Sequence, residues 1–331
     1  MGLFRSMRTW RKRSPLVQLL VSRVWQGIVT LVIVSILIFW ATEVLPGNAA
    51  YAVLGHNASP AEVHSLEIQL HLNRGLFAQY VSWVAGVLSG HLGTSIASGV
   101  PVWTLLKPRL VNSAVLAVAA GVVGATVAVL LGVLAAARKD SKLDDAVSGF
   151  ALATIALPEF VVAITLVILL STVVWHFFPG VSVLAPGTYP WNAPKLMILP
   201  VAALVIIVVP YIFRMTRAAM IEALESDFCE MARLKGVPRG RMLLVHALPN
   251  ALPPIVQVTA LTFLYLAGGI VIVEEAFAYP GIGQGLVNAV SARDIPVIQA
   301  IVLLLAAFYV VVNIVADVVV LLLTPRRREA R

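Results

Sequence analysis

The sequence predicts an all-α polytopic membrane protein with six transmembrane helices. Of its 331 residues, 60% are hydrophobic and 12% are charged, whereas soluble domains average about 45–50% and about 25%. The apolar residues form six segments, each close to or above the ~20 residues that cross a bilayer. Because backbone groups in lipid must bond within their own segment, these spans are helices. The segments cover residues 24–42, 111–137, 147–178, 196–213, 255–276 and 297–323.

The lysine and arginine residues predict the orientation of the chain. A net charge of +8 would suit a nucleic-acid partner, but 19 of the 24 basic residues lie in alternate connecting segments, on one side of the predicted bundle. Cytoplasmic segments of membrane proteins carry such an excess. We therefore expect no nucleic-acid partner. Both termini, the basic N-terminus 1–23 and the basic tail 324–331, should lie in the cytoplasm.

Between the first two spans, residues 43–110 form a predicted external segment. Ser59 and Glu62 make a capping box at the start of a helix. A second amphipathic run surrounds Gln79 and Tyr80, and several glycines, Gly93 among them, then indicate irregular backbone. Packing against the bundle explains these amphipathic helices as well as a partner docked on the outer surface does.

The other five spans form a predicted core over residues 111–323. The third span is long, so part of it should tilt or leave the membrane. Within it Pro158 removes a helix hydrogen bond and should bend the helix. Glu159 follows near mid-membrane, where a carboxylate is costly and usually faces a cavity or a partner. Pro158 and Glu159 are therefore candidates for a translocation path, and a paired glutamate between helices is the alternative.

The fifth span ends in two adjacent acids, Glu274 and Glu275. They lie at the predicted external mouth, where they would attract a cationic solute or contact a partner. Pro280-Gly281 and two further glycines follow and demand a turn, which a tight loop explains. In the sixth span Asp317 lies near the cytoplasmic end, and we expect it to form a salt bridge or an interhelical hydrogen bond.

The sequence lacks the common motifs of ATP binding and of intramembrane catalysis. It contains no G-x-x-x-x-G-K-[ST], no H-E-x-x-H and no G-x-S-x-G. We therefore expect a chain that is not an enzyme and that holds no cofactor and no metal. The single cysteine, Cys229, excludes an intrachain disulfide. Proton-driven carriers have chains of acidic or histidine residues within their spans, and here only Glu159 lies deep.

The segment between the fourth and fifth spans, residues 214–252, carries the most specific pattern. It reads E-x-A-x-x-x-G, then nine residues, then x-x-L-P. Small residues let a partner approach closely, and Gly236 can end a short helix in the left-handed conformation. In a chain without an ATP site, we interpret this segment as the surface on which a motor protein acts. The residues of this surface are Glu230, Ala232, Arg233, Leu234, Gly236, Leu248 and Pro249.

This pattern resembles the cytoplasmic loop of permease subunits in binding-protein-dependent ABC importers, which reads E-A-A-x-x-x-G, nine residues, then I-x-L-P. Met231 and His246 depart from it. Over residues 20–326 the chain is similar to the first permease of the oligopeptide/dipeptide/nickel branch, with departures at His91 and Thr324. The further matches are Leu45-Pro46-Gly47, Gly90–Ser95, His246–Leu252, Glu274–Gly283, Asp294, Pro296, Asn313 and Asp317.

The resemblance implies a type I ABC importer permease fold and one half of a pore for di- or oligopeptides. Nickel or another small solute is the alternative, and a proton-coupled transporter or an intramembrane enzyme belongs to a different class. The implied partners are a second permease, an external substrate-binding protein, membrane lipid, and two ATPase subunits or a fused ATPase that hold ATP and magnesium. The binding protein would contact the region of Ser59, Glu62, Gln79, Tyr80 and Gly93.

Overall fold

The computed structural model describes residues 15–44, 59, 61, 75–185 and 187–323. The predictions on Glu62, on residues 1–14 and 45–58 and on the basic tail lie outside these ranges. The described residues are helical apart from short connections and one isolated bridge between Thr94 and Pro101. The helices are α1 (Pro15–Val44), α2 (Leu76–Leu88), α3 (Val102–Ala137), α4 (Lys142–Ile155), α5 (Glu159–Val167), α6 (Pro194–Leu224), α7 (Asp227–Leu234), α8 (Leu248–Ala276), α9 (Ile282–Ser291) and α10 (Ile295–Leu323).

Five of the described helical runs are long and apolar enough to cross a membrane: α1, α3, α6, α10, and the run from Arg239 into α8. The predicted all-helical membrane fold is therefore confirmed. The third predicted span is two helices, α4 and α5, bent by 107° at a short break. Counting this pair as one broken span gives six crossings. α3 begins at Val102, so its first turns belong to the segment that the sequence predicts to be external.

The bend between α4 and α5 lies at Pro158, as the sequence predicts. Pro158 has extended backbone angles, φ −60° and ψ 145°, and stands immediately before the first residue of α5. A proline restricts the residue before it to extended conformations, so Leu157 cannot continue α4. α5 then widens into a π-helical turn at Ile168–Thr172.

The core of the bundle is built by α3, α6 and α8. Buried aliphatic side chains of these helices meet there, including Leu116, Leu204 and Leu266. Glycines make room for tight contacts between these helices: a Cβ atom on Gly121 would lie 2.1 Å from the Phe263 ring. Small residues at such contacts are typical of helix packing in membranes, where close approach of the backbones drives association.

α1 and α10 pack on each other beside this core. Near one end Arg23 Nε lies 2.7 Å from Asp317 Oδ2, which confirms the predicted salt bridge of Asp317. Near the other end of the pair, the buried Gln299 Nε2 donates to Thr42 Oγ1 at 2.9 Å. Many other α1 side chains, such as Trp25, are exposed in the isolated chain.

The tight contact between α3 and α6 predicts a cost for enlarging Gly132. An alanine Cβ there would lie 2.6 Å from Thr216 Cβ, whereas a Cβ on Gly149 of α4 would meet nothing within 4 Å. Overpacking costs about 1–3 kcal/mol, while alanine is better than glycine in a free helix position by up to ~1 kcal/mol. We expect Gly132→Ala to lower the thermal unfolding midpoint of the purified chain and Gly149→Ala to hold or raise it. Equal midpoints would contradict the close packing.

Candidate functional site

α7 and the turn after it form a compact surface feature that Gly236 completes. Gly236 has φ +78°, so it occupies the left-handed region as the sequence predicts. Its N–H donates to the Arg233 carbonyl at 3.0 Å, and the Val237 N–H donates to the Ala232 carbonyl at 3.2 Å. This pair of hydrogen bonds is the Schellman motif, which requires glycine or asparagine at the left-handed position. The chain therefore leaves α7 at a fixed angle.

The two faces of α7 have different neighbours. Cys229 and Ala232 are buried against Met220, Ala223 and Met242, so Ala232 holds the helix on the bundle and is not itself on the outer surface. The opposite face is apolar but exposed: Phe228 is 43% exposed, Met231 54% and Leu234 77%. Glu230 and Arg233 are exposed beside them. Contiguous exposed apolar side chains with a polar rim are typical of an interaction site.

The segment that returns from α7 to α8 is tied to the neighbouring helices. Arg239 donates to the Ala137 carbonyl at the end of α3. The backbone then passes through a π-helical stretch, Met242–Ala247, before α8. Pro249 follows at the start of α8 and is exposed, while Leu248 is half-buried against the α7 cluster. Since proline has no N–H, it removes a hydrogen bond from the regular helix at this position.

An ion pair connects α6, just before α7, with α4. Arg217 Nε and Nη2 donate to the two Asp144 oxygens at 2.5 and 2.6 Å, and Asp144 is 1% exposed. The Asp140 backbone N–H adds a third donor at 3.1 Å. Sequence reasoning missed this pair, because Arg217 alone looks like a basic residue at the end of a span. The one local pattern that involves this pair is Ser141, three residues before Asp144, which marks the start of α4 but does not indicate Arg217 as a partner.

A cavity of about 510 Å³ lies where the break between α4 and α5 faces α6 and α8. Pro158 and Glu159, the two predicted path residues, both line it, together with Tyr211, Tyr265 and Gly269. Glu159 Oε2 is buried and has no hydrogen-bond partner among the described residues. The structure thus brings the proline break and the lone carboxylate to one cavity inside the bundle.

Glu274 is held inside the protein. Its side chain is 0% exposed, and it accepts from the Ser113 hydroxyl at 2.5 Å and from the Gly283 and Gln284 N–H groups at 2.7 and 3.3 Å. The carboxylate therefore sits at the N-terminus of α9, where the helix dipole favours an anion. Glu275 is exposed. Of the two acids predicted at a mouth, only Glu275 is open to a solute.

The loop that Glu274 holds is also fixed to α3. Asn112 Nδ2 donates to the Pro280 carbonyl at 2.8 Å, and the Tyr279 hydroxyl donates to the Asn112 carbonyl at 2.8 Å. A Cβ on Gly281 would lie 2.0 Å from Glu274 Oε1, so this position requires glycine. The glycines of the loop are thus needed to seat the buried carboxylate.

Only some of the residues predicted to contact an external partner lie near one another in the structure. Gln79 and Tyr80 lie on α2, and the Tyr80 hydroxyl pairs with Ser35 Oγ of α1 at 2.9 Å. Gly93 is exposed with φ +85°, in the connection to α3. Ser59 is exposed, and Glu62 lies outside the described residues. α2 therefore packs on α1 through Tyr80 and leaves other side chains, such as Phe77, exposed.

The chain matches two known family models along most of its length. Residues 128–329 match the binding-protein-dependent transport system inner membrane component, and residues 16–117 match the N-terminal region of such membrane components. A peptide transport system permease protein of Brucella abortus is 35% identical over 285 residues, 86% of this chain and 90% of the relative. The dipeptide transport system permease protein DppB of Escherichia coli is 32% identical over 313 residues, 87% and 92% of the two chains.

The contrast between Glu274 and Glu275 gives a direct test of the loop. Glu274→Gln replaces one of the two acceptor oxygens by an NH₂ group beside backbone N–H donors, and charge-assisted hydrogen bonds are each worth about 1.5–3 kcal/mol. We expect a loss of that order in the free energy of unfolding of the purified chain. Glu275→Gln changes an exposed side chain, so its effect should stay within about 0.5 kcal/mol. Similar losses in the two variants would refute the assigned role of Glu274.

Proposed function

Because the chain belongs to the family of binding-protein-dependent transport system inner membrane components, we propose that it forms one half of the pore of an ATP-driven importer of peptides. The observation that supports the substrate class most strongly is the pair of relatives named for peptide and dipeptide transport, each aligned over more than four fifths of this chain. The permease itself is not an enzyme in this family, since separate ATPase subunits hydrolyse ATP.

The exposed face of α7 is the proposed docking surface for the ATPase. Phe228, Met231 and Leu234 present apolar area to the outside, and Cys229 and Ala232 on the buried face hold α7 on α6 and on the π-helical stretch before α8. A push on α7 therefore moves the end of α6. Small, tightly packed contacts such as these transmit displacement, because close-packed interiors have low compressibility.

From α6 the movement has a direct route to the break in the third span. Arg217 of α6 holds Asp144 of α4 by two short hydrogen bonds, and α4 leads to Pro158 and Glu159. ATP-driven closure of the motor subunits would thus change the angle between α4 and α5. We propose that this change opens the cavity at Glu159 alternately to the two sides.

The proposed orientation places α7 in the cytoplasm and the loop around Glu274 outside. The α7 end of the bundle carries exposed basic residues such as Arg138, Arg239 and Arg241, in accord with the positive-inside rule. A second permease, an external binding protein and lipid complete the assembly.

Docking through α7 can be tested without disturbing the bundle. Leu234→Asp puts a charge on a side chain that is 77% exposed, so the chain should insert and fold normally. The control is Lys142→Asp, which changes an exposed residue at the start of α4. In proteoliposomes with all partner subunits, we expect Leu234→Asp to lower ATP-dependent uptake at least about tenfold, since central interface residues cost about 2 kcal/mol or more. Wild-type uptake in this variant would exclude the docking role.

The orientation can be tested with single cysteines. Cys229, the only native cysteine, is 0% exposed and should not react with a membrane-impermeant maleimide in the folded chain. We expect Lys142→Cys to react from the cytoplasmic side and Ser89→Cys from the external side, as measured in right-side-out and inside-out vesicles. The reverse labelling pattern would show that the proposed orientation is wrong.

A further inference from the structure

We infer that the cavity at the α4–α5 break is a binding subsite for a primary ammonium group, which the N-terminus of a peptide supplies in transit. The inference rests on the proposed function and names the chemical group that this site recognises. The protein group that would bind the ammonium is the Glu159 carboxylate. Its Oε2 atom is buried without a hydrogen-bond partner among the described residues.

Three other acids of the described chain are buried, and they contrast with Glu159, which is half-buried with a buried Oε2 atom. Asp144 binds Arg217, Glu274 binds a hydroxyl and two backbone N–H groups, and Asp294 accepts from the Ser95 hydroxyl and from the Ile96 N–H at 3.1 Å. Leaving a buried charged group unpaired is expensive. Each of these three acids is satisfied within the fold, so an acid with a free buried oxygen indicates a partner that arrives from outside.

The surroundings of Glu159 suit a cation. Among the described residues that line the cavity there is no lysine or arginine. Tyr265 interacts with the Glu159 carboxylate, and its ring lies 5.8 Å from that of Tyr211. Both rings border the cavity, and aromatic faces attract ammonium groups. A volume of about 510 Å³ falls within the ~300–1,000 Å³ typical of small-ligand sites.

The absence of a side chain at Gly269 leaves space for the Glu159 carboxylate. A Cβ on Gly269 would lie 2.9 Å from Glu159 Oε1 and 3.0 Å from Oε2, whereas a Cβ on the adjacent Gly268 would meet nothing within 4 Å. The α8 backbone at Gly269 therefore leaves room for the Glu159 carboxyl group at the break. Recognition of an ammonium group would also let the transporter accept peptides of different sequence. Peptides differ in their side chains but share the N-terminal ammonium group, so one carboxylate can bind many of them.

The test measures protection of Glu159 from dicyclohexylcarbodiimide, which modifies carboxyl groups in apolar surroundings, in the assembled transporter. Modification is read by mass spectrometry of the Glu159 peptide, and Glu159→Gln confirms the assignment. We expect alanyl-alanine to protect Glu159 and N-acetyl-alanyl-alanine, which has no ammonium group, to protect it at least about tenfold less well. N-acetyl-lysyl-alanine carries an ammonium group only on its lysine side chain. Comparing its protection with that by alanyl-alanine therefore distinguishes the peptide N-terminus from a lysine side chain as the source of the ammonium group.

Two glycine variants sharpen the result. Gly269→Ala should displace the carboxylate and abolish protection by the dipeptide. Gly149→Ala, in α4 outside the lining of the cavity, should leave protection at the wild-type level. Equal protection by the free and the acetylated dipeptide, or none by either, would overturn the ammonium site even if uptake is normal. Dipeptide uptake by the wild type is measured separately: if uptake is absent but selective protection persists, the peptide importer assignment fails and the ammonium site stands.

Discussion

The structure depends on one constraint: a backbone that crosses lipid must satisfy its own hydrogen bonds. A long helix without interior prolines meets this requirement alone, and α1 and α10 are of this kind. The pair α4 and α5 does not, because the chain bends by 107° at Pro158. Such a break is tolerated only where protein or a water-filled cavity surrounds it. The packing of α6 and α8 around Pro158 and the cavity there are consequences of this requirement.

The break has one firm connection to the end of the bundle that carries α7. Arg217 and Asp144 hold α4 to α6 by two hydrogen bonds of 2.5 and 2.6 Å, and Lys139 Nζ lies 2.6 Å from Glu225 Oε1 at the surface nearby. The exposed pair contributes little, since surface ion pairs are worth about 0–1 kcal/mol. The buried pair matters for geometry: removing either partner leaves an uncompensated charge inside the protein.

Local patterns were sufficient to predict several features and insufficient for others. Hydropathy predicts the helical spans, Pro158 the bend, and Gly236 the left-handed end of α7, because each depends on a residue and its immediate neighbours. The burial of Glu274 and the Arg217–Asp144 pair were not predictable in this way. They join residues far apart in the chain, such as Ser113 and Glu274, and no periodicity encodes such a contact. Ala232 shows the same limit, since the motif names it but the packing decides which way it faces.

The distribution of satisfied and unsatisfied groups also indicates where the bundle can change shape. At one end, Glu274, Asn112 and Tyr279 tie the loop before α9 to α3 with hydrogen bonds of 2.5–2.8 Å. At the other end, α7 is packed on α6 through Cys229 and Ala232. Between these fixed ends, the connection of α4 to α5 is a turn without side-chain hydrogen bonds of its own at Pro158. Movement costs least where the fewest native contacts must be broken, so in the proposed mechanism the α4–α5 angle is the element that a displacement of α7 would change.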